Sequence, residues 1–480
     1  MVKSTLPHED QTGGDGSLHH RVSRRSFLTA ILLVIGGSDG QRRLIQRTAD
    51  QTTQRAQASA NAHSASPCPE ALADIFDVAA TVEALSMTLY YRAIKAYGDL
   101  ATESQQYLKA MLAAERAHYH SLLDGGAHPL VTAFCFPQHI FDFGNLPLLL
   151  ATVDTVETAT IGMYLAAVRR CGELGDARLA EEMGQILSVE AEHRVLGREI
   201  AADAPPPPNN LCFAPSTVDC VADVPAVLAP FISGGAGFSS SIAQPTDAQI
   251  DAILGGIECT PIAPAPAATC ADPLKSILDI AATAEALGIT FYYGGIRGKI
   301  FGQLSEQRQW YFQAALDEER NHLRFLQQNG AQPAATTFHF PAAVFDDLTQ
   351  FLGVLDTLEN AFLGAYLAAT QRFAELGQPL LAEIAGQILS VEAEHRVLGR
   401  IVAGAVPPND RCMQPVPFKC VAEAQQALMP FIAGGTGYPL GRTLPTERAI
   451  DLAVDRFGCA SVPLATSPLF NTFLPLINHS

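Results

Sequence analysis

GQILSVEAEHRVLGR runs from Gly184 to Arg198 of this chain and occurs again, unchanged, from Gly386 to Arg400. Both occurrences contain Glu-x-x-His, and a spacing of three places a carboxylate and an imidazole side by side on one face of a helix. The surroundings repeat too: DVAATVEALSMTLYY starts at Asp77 and DIAATAEALGITFYY starts at Asp279, an offset of 202 residues. The chain therefore contains two copies of one domain.

Four long amphipathic stretches make up each copy, with apolar residues recurring at intervals of three and four as in helices that face a core. In the first copy we expect helices over 70–97, 103–123, 146–173 and 177–202. Short connections predict that the first two and the last two helices form antiparallel hairpins, joined by a longer aromatic connection around Phe134. The sequence predicts an all-α protein with two tandem four-helix bundles.

The composition limits the classes of partner. The chain has 480 residues, too many for one ordinary core, and carries 49 acidic against 31 basic residues, for a formal net charge of -18. An acidic protein of this kind is repelled by nucleic acid and by anionic membrane surfaces. We therefore expect no nucleic-acid partner.

The N-terminal residues resemble a twin-arginine export signal. SRRSFL occupies residues 23–28, and the apolar run Phe27–Gly37 is too short to span a bilayer. A chance arginine pair before an apolar patch is the alternative. The signal predicts the export machinery as a partner and a periplasmic, cell-surface or extracellular location, and this machinery moves folded proteins that often carry a cofactor.

The predicted domain boundaries follow from these patterns. Residues 41–66 are rich in Gln, Ala, Thr and Ser and are typical of a disordered leader, with small-x-small cleavage motifs at Ala56–Ala58 and Ala60–Ala62. We assign 1–66 to the signal and leader, 67–262 to the first domain and 263–480 to the second.

The helices of each copy carry the pattern Glu, Glu-x-x-His, Glu, Glu-x-x-His. These glutamates lie on the apolar stripe: Glu83, for example, has Ala79 one turn before it and Met87 one turn after it. Four buried carboxylates are costly unless positive charge compensates them, and two divalent cations per copy would do so. The candidate ligands are Glu83, Glu115, His118, Glu157, Glu190 and His193 in the first copy, and Glu285, Glu319, His322, Glu359, Glu392 and His395 in the second.

Carboxylates with one imidazole per ion suit iron or manganese better than zinc or copper. The pattern resembles the ferritin-like superfamily of di-iron and di-manganese carboxylate proteins. The Pro-rich continuation after the fourth helix, at 205–208, is similar to the exported, desiccation-related branch of that superfamily. The resemblance implies two ferritin-like bundles with two iron ions each, manganese being the alternative.

Other polar residues lie near the candidate ligands. Tyr90, Tyr164, Tyr292 and Tyr366 each follow a helix-one or helix-three glutamate by seven residues, on the same face. Their role is core packing or, as the resemblance allows, a hydrogen bond or one-electron donation beside the metals.

Two further pairs repeat between the copies. Asp154 and Asp356 either orient a ligand histidine or are surface acids or helix caps. Arg194 and Arg396 are expected to be solvated or paired locally.

Eight of the ten cysteines match between the copies, whereas Cys135 and Cys171 have no counterpart. In an exported protein a matched even set indicates disulfides. We expect Cys212 to pair with Cys220 and Cys68 with Cys259, and the equivalent residues to pair in the second copy. The irregular tails around 224–235 and 424–435 would then be pinned back onto their own bundles.

Three functions follow. The first is an oxidoreductase in which reduced di-iron meets O2 or peroxide, as in ferroxidases or peroxidases. The second is a di-manganese catalase-like enzyme. The third is a non-catalytic metal-sequestering or stress-protective protein whose ions stabilise the fold.

Overall fold

The computed structural model describes residues 68–201, 207–259 and 270–462. These residues belong to one compact unit, His63–Ser480, so both sequence copies lie in the same unit. The predicted export signal and leader, and the predicted boundary at 262/263, lie outside the described residues. The domain boundaries therefore stay predictions.

The first copy folds as two helical hairpins whose helices end within a few residues of the predicted positions. Its helices are α1 (Leu72–Ala96), α2 (Thr102–Asp124), α3 (Leu146–Glu173) and α4 (Ala177–Ala201). Helix α1 packs along α2, and α3 packs along α4. The connection between the hairpins contains strand β1 (Ala133–Phe134).

The second copy repeats this arrangement. Its helices are α8 (Leu274–Arg297), α9 (Glu306–Gln328), α10 (Leu348–Glu375) and α11 (Pro379–Val402), with strand β3 (Thr337–Phe340) between the hairpins. A single 3₁₀ turn, Phe301–Gln303, precedes α9. The predicted all-α fold of two tandem four-helix bundles is confirmed.

A tail of short elements follows each bundle. The first tail contains a 3₁₀ turn (Val221–Asp223), α5 (Val224–Val227), α6 (Ala229–Ser233), β2 (Ile242–Ala243) and α7 (Asp247–Leu254). The second contains α12 (Val421–Ala433), β4 (Leu440–Thr443) and α13 (Glu447–Val454). Antiparallel pairing of β1 with β2 and of β3 with β4 attaches the middle of each tail to its own bundle.

Local sequence explains the tight turn between the third and fourth helices of each bundle. Gly175 and Gly377 adopt positive φ angles of 80° and 66°, which a residue without a Cβ tolerates. Helix α3 is long and apolar enough to cross a membrane, but 72% of its most apolar window is buried inside the structure. It has the burial of a core helix.

The two copies of GQILSVEAEHRVLGR face each other across the contact between the bundles, where α4 packs against α11. A Cβ at Gly386 would lie 3.0 Å from Leu187 and 3.1 Å from Leu165, so this glycine permits the close approach of the helices. Arg194 forms an ion pair with Glu394, and Arg396 forms the equivalent pair with Glu192 at 2.9 Å. The interface pairs each repeated segment with the other in an approximately two-fold arrangement.

This interface shows which of the two alternatives for the arginines is wrong. Arg194 and Arg396 are buried, with exposed fractions of 0% and 1%. They are not solvated. Arg194 pairs with Glu394 and Arg396 with Glu192 of the other copy, and Arg396 also pairs with Asp410 of its own copy at 2.7 Å, the local pairing that was predicted. The arginines are buried because the repeated segment of the other copy covers them and supplies a carboxylate to each.

The four predicted disulfides are present, but the predicted connectivity is wrong. Cys68 pairs with Cys220 and Cys270 pairs with Cys420, each within its own copy. The other two bonds, Cys212–Cys459 and Cys259–Cys412, join different copies. As predicted, Cys135 and Cys171 are free, and both are buried.

Exchange of the tails explains the inter-copy disulfides. The chain leaving α4 crosses to the second bundle, where the Ala214 carbonyl accepts a hydrogen bond from Gln387 Nε2 at 2.7 Å. The chain leaving α11 crosses in the opposite direction, and the Gln414 carbonyl accepts from Gln185 Nε2 at 2.5 Å. Four disulfides are consistent with a location outside the cytoplasm.

Candidate metal centres

The structure brings the six predicted residues of the first copy together inside its bundle. Two groups of ligand atoms lie within 4.8 Å of one another, and both groups include Glu115 and Glu190. The first group adds Glu83 and His118, and the second adds Glu157 and His193. All six side chains are fully buried.

The helices account for this convergence. Helices α1 and α3 each supply one glutamate, and α2 and α4 each supply a Glu-x-x-His pair on an inward face. His118 Nδ1 lies 2.9 Å from Glu190 and 3.4 Å from Glu83. His193 Nδ1 lies 2.9 Å from Glu115 and 3.4 Å from Glu190. Both imidazoles thus direct Nδ1 at the carboxylates.

The second copy builds the same constellation. Glu285, Glu319, His322 and Glu392 form one ligand group. His395 lies on the other side, with Nδ1 at 3.4 Å from Glu392 and 3.5 Å from Glu319. Its Nδ1 lies 3.8 Å from the sixth predicted residue, Glu359.

Without a bound cation, some carboxyls of the first cluster retain their protons at neutral pH. Burial raises the pKa of Glu115 and Glu157 well above the usual value, and the negative charge of Glu190 raises both further. Burial also opposes ionisation of Glu190, but the imidazoles of His118 and His193 close to its oxygens outweigh burial and lower its pKa to about 2. Cations would have to displace the retained protons.

The second cluster shows the same division. Burial raises the pKa of Glu319 and Glu359, whereas the imidazoles of His322 and His395 close to Glu392 outweigh burial and lower the pKa of Glu392 to about 2.

Many ligand atoms in these clusters have no well-formed hydrogen bond among the described residues, although they are buried. In the first copy they are Glu83 Oε2, Glu115 Oε2, Glu157 Oε2, both carboxylate oxygens of Glu190, and His118 Nδ1. In the second they are both oxygens of Glu319 and of Glu392, Glu359 Oε2, and His395 Nδ1. Buried polar atoms are normally paired, so this donor set fits cations that are bound in their midst.

The four tyrosines lie beside the ligands and bond across each bundle. The Tyr90 hydroxyl donates to Glu157 Oε1, and the Tyr164 hydroxyl donates to Glu83 Oε1. Tyr292 and Tyr366 make the equivalent bonds to Glu359 and Glu285. Burial raises the pKa of all four phenols well above 10, and the glutamate charges add to the effect, so the phenols keep their protons.

The outer nitrogens of the histidines have different partners. His118 Nε2 donates to the Cys412 carbonyl, and His322 Nε2 donates to the Cys212 carbonyl at 2.8 Å. His395 Nε2 donates to Glu318 Oε2 at 2.7 Å. His193 Nε2 has no hydrogen-bond partner among the described residues.

Sequence reasoning missed these partners and overestimated others. Asp154 bonds to Arg198 at 2.5 Å and is 42% exposed, so it is a surface acid and does not orient a histidine. Asp356 lies 3.9 Å from Arg400 and is 45% exposed. The signal for Glu318 was its position beside Glu319, where the first copy has Ala114. No signal in the sequence pointed to the two cysteine carbonyls.

Comparison with known proteins agrees with this geometry. Residues 275–405, which include all six predicted ligands of the second copy, match the family model described as a ferritin-like domain. No curated protein and no solved structure matches the chain. The match supports the resemblance of this protein to the ferritin-like superfamily, whose domains bind metal ions.

Proposed function

We propose that each bundle binds two divalent metal ions, that the ions are iron, and that the exported protein oxidises Fe(II) or reduces O2 or peroxide at these centres. The observation that carries the proposal is the pair of buried Glu/His clusters, in which carboxylate oxygens converge and several of them have no hydrogen-bond partner among the described residues. Four carboxylates balance the charge of two divalent cations, and oxygen ligands with one imidazole per ion suit iron or manganese.

The residues divide between the two ions of a copy according to their groups. Glu115 and Glu190 belong to both groups of the first copy, so they would help to hold both ions. Glu83 and His118 would complete one coordination sphere, and Glu157 and His193 the other. The Tyr90 and Tyr164 hydroxyls occupy Oε1 of Glu157 and Glu83, which leaves Oε2 of each for the metal.

When bound, ferrous ions would supply the electrons for the reduction of O2 or peroxide. The chain would enclose the ions, because the ligand side chains are fully buried. Charge–charge interactions between the ions and the carboxylates are stronger in such an enclosure, because water is excluded from it. The neutral phenols hold the glutamates in place and keep a proton on each hydroxyl.

The proposal is tested first by metal analysis of the full-length protein purified from its native compartment. We expect four ions per chain. Glu190→Ala with His193→Ala should leave two, and the matched pair Glu392→Ala with His395→Ala should also leave two. Glu182→Ala, a change at a partly exposed glutamate of α4, should leave four. No more than trace metal in the wild-type protein would overturn the proposal.

Redox function is tested on the same proteins. Fe(II) is loaded without oxygen, O2 or peroxide is admitted, and the rise of ferric absorption is followed. Oxidation much faster than that of free Fe(II), reduced by about half in each double variant, supports the proposal. Tight binding without faster oxidation would instead indicate a metal-sequestering or protective protein, and peroxide disproportionation with manganese alone would indicate a catalase.

A further inference from the structure

The two clusters have matching ligands but different surroundings at one histidine. In the second copy His395 Nε2 lies 2.7 Å from Glu318 Oε2, and both side chains are fully enclosed. In the first copy the equivalent nitrogen, His193 Nε2, is buried and has no hydrogen-bond partner among the described residues. The difference comes from one position of the second helix of each bundle, which is Ala114 in the first copy and Glu318 in the second.

The tail of the first copy fixes this additional carboxylate. Asn209 Nδ2 lies 3.2 Å from Glu318 Oε2, the same oxygen that accepts from His395. The equivalent residue of the second tail is Asn409, whose side-chain nitrogen and oxygen are buried and have no hydrogen-bond partner within the described ranges. The asparagine is therefore present in both copies, whereas the carboxylate that it would hold is present in one.

A carboxylate behind an imidazole affects its capacity to bind a cation. Glu318 accepts the proton of Nε2, so Nδ1 of His395, which lies 3.5 Å from Glu319 and 3.4 Å from Glu392, is the ring nitrogen left for a cation. The carboxylate also makes the imidazole a stronger donor and brings the number of buried acids around the second site to five. More negative charge near the ions favours both tighter binding and a higher oxidation state.

We propose that Glu318 is a positioning residue that makes the metal centre of the second copy the tighter of the two, so that the second copy fills before the first. This inference rests on the proposed function, because it requires that both clusters bind metal. Loss of such a partner of a ligand histidine typically lowers metal affinity by about 10–100-fold. The two centres therefore differ by a factor of that size.

The test is a titration of the metal-free, full-length, disulfide-bonded protein with Mn(II), followed by calorimetry and by EPR of free Mn(II). The wild-type protein should show two classes of two ions each, separated by about tenfold or more. Glu392→Ala with His395→Ala should remove the tight class, and Glu190→Ala with His193→Ala should remove the weak class. Four ions of equal affinity would overturn the inference and leave the proposed function standing, whereas no binding would overturn both.

Substitutions at the two matched positions then test the residue itself. Glu318→Ala should weaken the tight class by about 10–100-fold and leave the weak class unchanged. Glu318→Gln retains an acceptor for His395 without the charge and should give an intermediate affinity. Ala114→Glu should strengthen the weak class by giving His193 and Asn409 the missing partner.

Circular dichroism of each metal-free variant separates the positioning role from a purely structural one. Unchanged helix content together with weakened binding in Glu318→Ala supports the inference. Unchanged Mn(II) affinity in both Glu318→Ala and Glu318→Gln would overturn it, whether or not Ala114→Glu folds.

Discussion

His322 of the second copy donates a hydrogen bond from Nε2 to the main-chain carbonyl of Cys212, a residue of the first copy, across 2.8 Å. Because a carbonyl can only accept, Nε2 carries a proton, and Nδ1 is the ring nitrogen that faces Glu285, at 3.2 Å. His118 makes the equivalent bond to Cys412. Each candidate metal centre therefore has a histidine that the tail of the other copy orients, and an inter-copy disulfide holds that tail.

Removal of an inter-copy disulfide should impair one metal centre selectively. We expect Cys212→Ser with Cys459→Ser to weaken Mn(II) binding at the second centre by about tenfold, because the carbonyl that orients His322 loses its tether. The first centre should be unaffected. The protein should also lose about 2–5 kcal/mol of stability.

The intra-copy disulfide Cys68–Cys220 provides the control, since no ligand histidine contacts these two cysteines in the described structure. Cys68→Ser with Cys220→Ser should lower the free energy of unfolding, measured by urea denaturation, by a similar amount and should leave the Mn(II) affinity unchanged. Equal effects of both double variants on Mn(II) affinity would contradict the prediction.

The buried inter-copy ion pair should be sensitive to the loss of one partner. Glu394→Ala leaves Arg194 buried without its carboxylate, and we expect a loss of about 3–5 kcal/mol in the free energy of unfolding. Glu182→Ala breaks the more exposed pair with Arg178 and should change stability by at most about 0.5 kcal/mol. Urea denaturation measures both, and equal effects would argue against a buried pair.

Loss of a tyrosine hydroxyl should lower the stability of the fold but should have only a small effect on the rate of Fe(II) oxidation. Tyr164→Phe removes the hydrogen bond to Glu83, and Tyr366→Phe removes the one to Glu285. Each variant should lose about 1–3 kcal/mol of stability, because a buried carboxylate oxygen loses its donor. Metal content should stay at four ions, and Fe(II) oxidation should slow by less than about tenfold. A much larger loss of rate at full metal content would instead identify the phenol as an electron donor.

The stability of the metal-free protein should fall as the pH rises from about 5 to 8. Burial raises the pKa of Glu318 to about 7 despite its bond to His395, and raises that of Glu383 to about 7, against an ordinary value of 4.5. In this range the folded protein keeps protons that the unfolded chain has lost, so deprotonation favours unfolding.

His322 acts in the same direction. Burial lowers its pKa, but Glu285 and the hydrogen bonds outweigh burial and raise it to about 10 from 6.5. Its contribution is complete below pH 6.5 and is lost as the pH rises toward 10. The three shifts together predict a loss of roughly 5–7 kcal/mol between pH 5 and 8, measured by thermal unfolding.

Metal-loaded protein serves as the control, because its ligands must lose protons to bind cations. It should gain stability over the same pH range. Metal-free stability that rises from pH 5 to 8 would contradict the assigned directions.

Export should depend on the arginine pair. Arg24→Lys with Arg25→Lys should leave the protein in the cytoplasm, where thiols stay reduced. Cell fractionation measures the location, and thiol counting under denaturing, non-reducing conditions should find ten free cysteines in the retained variant and two in the exported wild type. Normal export of the double variant would contradict the prediction.

Features encoded locally could be predicted from the sequence. The bounds of α1 to α4 follow from apolar periodicity, and the convergence of Glu115 with His118 follows from a spacing of three on one helix. The inward position of the glutamates follows from their apolar neighbours. These properties depend on residues within a few turns of each other, so a single sequence contains the required information.

The partners of Cys212, Arg194 and His322 depended on the tertiary structure. In a repeated sequence Cys259 and Cys459 are equivalent, so local spacing does not distinguish a partner in the same copy from one in the other. The distinction comes from the path of the tails, which cross between the bundles and place Cys212 beside Cys459. The same contact buries Arg194 against Glu394. The sequence by itself determined two bundles and their candidate ligands, whereas the packing of one copy on the other decided which residues pair, because pairing energies depend on distance in space.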